Sequence, residues 1–254
     1  MIATTDSLDT LFRRAMAAPL TSEGEALARQ ALQDLMGALL ARHDLRRDPR
    51  LQNMLLACRL RLRALQNMVL CAREEFLPTT FVPCELREFT ADLCAAANML
   101  LAPLGRAVRF RAPEEPMEAL CAPRDVASLV LELICNCALH CPGEEIHVSL
   151  RPLGKKHNRA FVLTAECAGP LDLTALHAGI LRAGSGAAAM QSVARLHRGA
   201  LLWLERGGKS VAAFRLSGGQ QGRASDCYAA PDYVELLSDP CSPVYIALAP
   251  ALGG

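Results

Sequence analysis

No stretch of this chain stays apolar for the roughly 20 residues that a membrane-spanning helix needs, because Arg, Glu or Asp interrupts every long run. No export signal is expected either, since the opening MIATTDSLDT has neither the basic start nor the apolar middle of a secretory leader. Net charge is nearly absent, +1 from 27 basic and 26 acidic residues. That balance excludes a surface built to coat a polyanion, so nucleic acid is not an expected partner. With 52% hydrophobic and 21% charged residues the chain is no disordered segment, and its 254 residues can bury a real core. The expectation is a cytoplasmic protein with no membrane span.

Cysteine is abundant instead, 11 in all, but the thiols are scattered singly among Ala and Leu, as in LACRL and ADLCAAA. An odd count without an export signal argues against a disulfide framework and for small core residues. The nearest approach to metal-ligand spacing is Cys135, Cys137 and Cys141 with His140. These fall on one helix, where the first two cannot share a face, so no metal is expected to sit on them.

The chain divides by pattern into residues 1–20, a helical stretch over 21–78, a mixed α/β stretch over 79–217 and a tail over 218–254. In the second stretch, SEGEALARQALQDLMGALLARHDL reads as one helix with an apolar face of Leu32, Leu35, Met36, Leu39 and Leu40. Asp48 before Pro49 starts another. That second helix carries Leu51, Leu55, Cys58, Leu62, Leu65, Val69, Ala72 and Phe76 in alternating steps of four and three, a heptad seam. Such a hairpin is too small to hide its own apolar surface, so a second copy is expected to cover it.

Beyond LPTTFVP the order reads helix, strand, helix, two strands, loop, helix, two strands. That pattern predicts an α+β fold with one layer of helices on one mixed sheet. The tail reads as a short helix and a strand. The long helix over PRDVASLVLELICNCALHC is apolar nearly all round except for a narrow strip of Asp125, Glu132, Asn136 and His140. Burying a carboxylate or an amide without a partner costs several kcal/mol, so the strip must face water, a partner or a ligand. It is either the wet edge of a surface helix or one wall of a site.

A glutamate and an asparagine one turn apart, followed by a strand pair, a loop and GSG opening another helix, resemble the Bergerat ATP-binding fold of gyrase, MutL, histidine kinases and anti-sigma kinases. The resemblance implies a two-layer α/β sandwich behind a dimerisation-type hairpin, with ATP and Mg2+ as cofactors. It places Asn136 as the magnesium ligand, a role suited to a neutral amide oxygen. Glu132 takes the position that activates a nucleophile, and His140 the place of a polar residue near phosphate. The D-x-G-x-G box, whose aspartate accepts from the adenine amino group, is met by ECAGP. Glu166 then stands for the aspartate, with Ala168 and Pro170 where glycines are usual. Gly184 and Gly186 match the G-x-G that brings backbone N–H groups and a helix start toward phosphate. VARLHRGALLWLE resembles the helix, His, Gly and returning strand that follow in the kinases.

ARHDLRRDPRLQNM resembles the phosphoacceptor box of histidine kinases, with His43 as acceptor and Asp44 to orient its ring. Pro49 comes one residue later than in that box, and the plain alternative is an exposed histidine beside Arg42 and Arg46. The resemblance implies a histidine-kinase-like signalling protein, a homodimer working with a response regulator or another protein. The competing reading is a non-catalytic adaptor, pseudokinase or sporulation-phosphotransferase-like, that docks a partner on a degenerate scaffold. An anti-sigma-type serine kinase is the third.

Overall fold

A computed structural model of the protein describes residues 8, 10–13, 25–76, 80–154, 160–170, 185–217 and 227–253. Helix α1 (Glu25–Leu40) and helix α2 (Pro49–Phe76) are joined by a turn. Helix α1 stops sooner than its pattern predicts. After Leu40 the chain turns, and Arg42 grips Asp44 there through two hydrogen bonds of 2.8 and 2.6 Å, a local closure that places His43 in the turn. Helix α2 begins where the sequence says, with Arg50 N donating to Asp48 Oδ1 at 2.8 Å and Pro49 in the first position. Leu32, Leu35, Met36 and Leu39 bury their side chains against Leu51, Leu55, Cys58, Leu62 and Leu65, and Ile246 from the tail joins the same cluster. Much of the heptad seam is therefore covered from within the chain.

The second part is built on a five-stranded sheet. Strands β1 (Val82–Glu85) and β3 (Glu118–Cys121) form a separate antiparallel pair, which the sequence pattern had hidden because both are only four residues long. The main sheet contains β2 (Ala107–Arg111), β4 (Glu145–Leu153), β5 (Ala160–Ala168), β6 (Ala200–Arg206) and β7 (Lys209–Ser217), in the order β2-β4-β5-β7-β6. Only the β2–β4 pairing is parallel. Along β5 the buried residues Phe161, Leu163, Ala165 and Cys167 alternate with partly exposed Val162, Thr164 and Glu166, so the odd positions face the core. Helices α3 (Leu86–Leu101), α4 (Pro123–His140) and α5 (Gly186–Leu196) supply the other half of that core.

The tail holds three short helices, α6 (Tyr233–Ser238), α7 (Pro243–Ala247) and α8 (Ala249–Leu252), and no strand where the sequence reading expected one. Helices α7 and α8 pack on both α2 and α4, and α2 packs on α5. The architecture is thus deeper than two layers, with sheet, central helices, and then α2 and the tail. This outer layer explains why α4 is apolar nearly all round, since a helix buried on both faces needs no wet side. Among the described residues no helix is long and apolar enough to cross a membrane.

Candidate functional site

Helix α4 starts at a proline in the first position and ends at Cys141, whose extended backbone precedes Pro142. Its polar strip is buried at Asp125 and Glu132 and reaches water only toward His140. Glu132 is 2% exposed, and its carboxylate is gripped by the guanidinium of Arg63 on α2, Nε to Oε1 at 2.7 Å and Nη2 to Oε2 at 2.5 Å. Buried Asn67, one turn beyond Arg63, adds a side-chain hydrogen bond to the same carboxylate. Burial pushes the Glu132 carboxyl above the usual carboxylate range, and the Arg63 charge and the two donors pull against that rise.

Gly186 completes this cluster. Ser185 caps α5 by accepting from Ala188 N at 3.1 Å, which brings the first turn of the helix against α4. A Cβ on Gly186 would lie 2.1 Å from Glu132 Oε2 and 3.1 Å from Arg63 Nη2. Glu132 and Gly186 are therefore brought together, with a guanidinium from α2 set beside them. Asn136 lies one turn further along α4, half-buried, on the helix that α8 covers. His140 is exposed at the helix end. Gly184 lies outside the described residues.

The strand-end residue is displaced from its expected role. Glu166 sits opposite His147 and Val211 on the sheet face away from the helices, and pairs with Lys209 Nζ at 2.5 Å. A one-residue step in a strand exchanges the two faces, and the residue that faces α4 is Cys167, bonded to Cys141. Gly169 follows with φ of 113°, a backbone angle that glycine adopts freely. The acid in ECAGP lies one residue away from the helix-facing position, on the opposite face of the strand. Glu166 and Asn136 do not share a site.

His43 is exposed in the turn between α1 and α2. The fourteen helical steps from Pro49 to Arg63 span about 21 Å, so His43 is not brought to the Glu132 cluster. Hydrogen bonding to Arg42 holds Asp44 below the usual carboxylate range. A cavity of about 700 Å³ does exist, between α2, α3, the start of α4 and the tail, where Gln66, Phe89, Arg124, Asp125 and Tyr228 line it. Neither Asn136 nor Gly186 lines it.

Arg63 and Asn67 escaped the sequence reading, yet a signal was present. Arg59, Arg63 and Asn67 recur every fourth residue on α2, the same spacing as Glu132, Asn136 and His140 on α4. Arg63 and Asn67 meet Glu132, whereas Arg59 turns to the Pro240 carbonyl and the Tyr245 ring.

No family model matches the sequence, and no curated protein matches it. Solved structures do. The histidine kinase AdeS of Acinetobacter baumannii superposes with a TM-score of 0.53 at 13% identity, over 85% of this chain and 97% of that one. The chain has a histidine-kinase-like fold. Full-length ShkA, solved in complex with AMPPNP, superposes with a TM-score of 0.50 at 13% identity, over 87% of this chain. The match takes up 47% of ShkA, so the chain corresponds to about half of that larger kinase. At such identity the likeness describes the fold of a histidine kinase and leaves the chemistry to the residues.

Proposed function

We propose that the chain is a non-catalytic member of the histidine-kinase-like signalling proteins, an adaptor that contacts a partner protein and does not turn over nucleotide. The observation that carries this reading is the Arg63–Glu132 pair against Gly186. In the Bergerat resemblance the corresponding glutamate, asparagine and G-x-G surround magnesium and phosphate. Here a guanidinium from the chain itself neutralises the carboxylate, and the start of α5 rests on it with no room for a methyl group. The position facing α4 at the strand end holds a thiol carbon chain, Cys167, that offers no carboxylate to an adenine amino group. These residues do not fit ATP and Mg2+ in this arrangement. Asn136 and His140 would regain a ligand role only if Arg63 left Glu132.

His43 belongs to the same reading. An exposed imidazole far from Glu132 suits exchange of a phosphoryl group with a partner such as a response regulator better than transfer within the chain. The homodimer expected from the heptad seam loses that seam as its reason, and would have to use exposed residues such as Leu27 and Leu60. Sedimentation at micromolar concentration decides it.

Thermal denaturation with Mg-ATP tests the main claim, because a ligand that binds only the folded state raises its melting temperature by mass action. No shift at millimolar nucleotide is expected, and labelled ATP leaves no acid-labile label on His43. A dose-dependent rise, or a label lost in His43→Ala, would replace the adaptor with a kinase.

A further inference from the structure

Cys137 and Cys141 lie one turn apart at the end of α4, and Cys167 meets them from the helix-facing side of β5. Their Sγ atoms all lie within 4.8 Å of one another, and the residues are 7%, 5% and 1% exposed. Cys141 and Cys167 are joined as a disulfide, with Cα atoms 6.3 Å apart. We propose that in the reduced chain these three thiolates form a closed, trigonal site for one copper(I) ion.

The donor set selects the metal. Thiolates favour soft cations, copper(I) and zinc foremost. Zinc takes four ligands in structural sites, and among the described residues no fourth His, Cys, Asp or Glu joins the three sulfurs. Copper(I) is satisfied by three. A cation is also favoured near the carboxyl end of a helix such as α4. The excess negative charge of three thiolates has a nearby counter-charge, since Arg106 Nη1 donates to the carbonyls of Cys141 and Gly143.

The chemistry balances simply. An external dithiol supplies two electrons and two protons to the Cys141–Cys167 disulfide and leaves as its own disulfide. Copper(I) then displaces three thiol protons without changing oxidation state. Cys135, on the same helix, points instead toward Arg63 and Ala251 and takes no part.

The test uses the full chain, reduced with a phosphine and titrated anaerobically with copper(I) against a coloured copper(I) chelator. One equivalent per chain is expected, with a thiolate-to-copper absorption band and X-ray absorption showing three sulfur neighbours. Cys137→Ser should weaken binding by more than about 100-fold, beyond what loss of an outer-sphere partner costs. Cys135→Ser, a substitution at an equally buried position, should bind as the unchanged chain does. Equal loss in both variants, no uptake by the folded reduced chain, or tighter binding of zinc with a fourth ligand would each overturn the proposal. So would a Cys141–Cys167 disulfide found intact and copper-free in acid-quenched cells grown with copper.

Discussion

At the scale of single residues, the Arg63–Glu132 pair decides most. A buried ion pair is a poor source of net stability, since desolvating two charges offsets their attraction, but removing one member strands the other. Arg63→Ala should therefore cost about 3–5 kcal/mol of unfolding free energy, read from urea melts. Replacing both groups by apolar ones of similar volume, Arg63→Met with Glu132→Leu, should recover most of that loss. If Arg63→Ala melts within about 0.5 kcal/mol of the unchanged chain, the pair is a surface contact and the case for a filled site falls. The residues of this pair were legible as stripes on two helices. Their meeting was not, because 69 positions separate them in the chain.

Between elements, His197 links the end of α5 to the start of α4. Its Nε2 accepts from Ala122 N at 3.1 Å, so the proton sits on Nδ1 and is shared with the Val193 carbonyl at 2.8 Å. Burial lowers its pKa below the ordinary value of 6.5, because the charged ring would lose its water and its acceptor role. The folded chain thus binds this proton less readily than the unfolded one. The stability that follows is complete above pH 6.5 and is lost as pH falls through the depressed folded value. The slope from this group is at most about 1.4 kcal/mol per pH unit. Comparing the unchanged chain with His197→Gln between pH 5 and 8 should show a steeper acid loss in the former. Parallel curves would mean that the ring is hydrated. The order of helices and strands was readable from hydrophobic period and proline placement. The four-residue strands β1 and β3 were not, since so short a segment carries no period to read.

Taken as a whole, the molecule is held together by its tail. Val244, Ile246, Leu248 and Ala249 are buried, and helices α7 and α8 wedge against both α2 and α4. Ile246→Ala should cost about 2–4 kcal/mol, as a large side chain removed from a packed core does, and should lower the melting temperature of the whole chain in one transition. A biphasic melt, with the helix pair separating first, would show that the tail does not couple the parts. The covered seam also removes the physical need for a second copy, which the sequence reading had derived from two helices considered alone.

What the sequence determined by itself is local. Helix starts at Asp48 and Ser185, the stop before Pro142, the alternation along β4 and β5, and the polar strip on α4 all follow from interactions within a few residues. Only the tertiary structure decided what the strip faces, which side of β5 presents Cys167, and that the tail fills the third layer. Those outcomes depend on pairings across tens of residues and on a two-residue repeat in which a single step reverses the face. Local preference has no means of choosing among them until the layers pack.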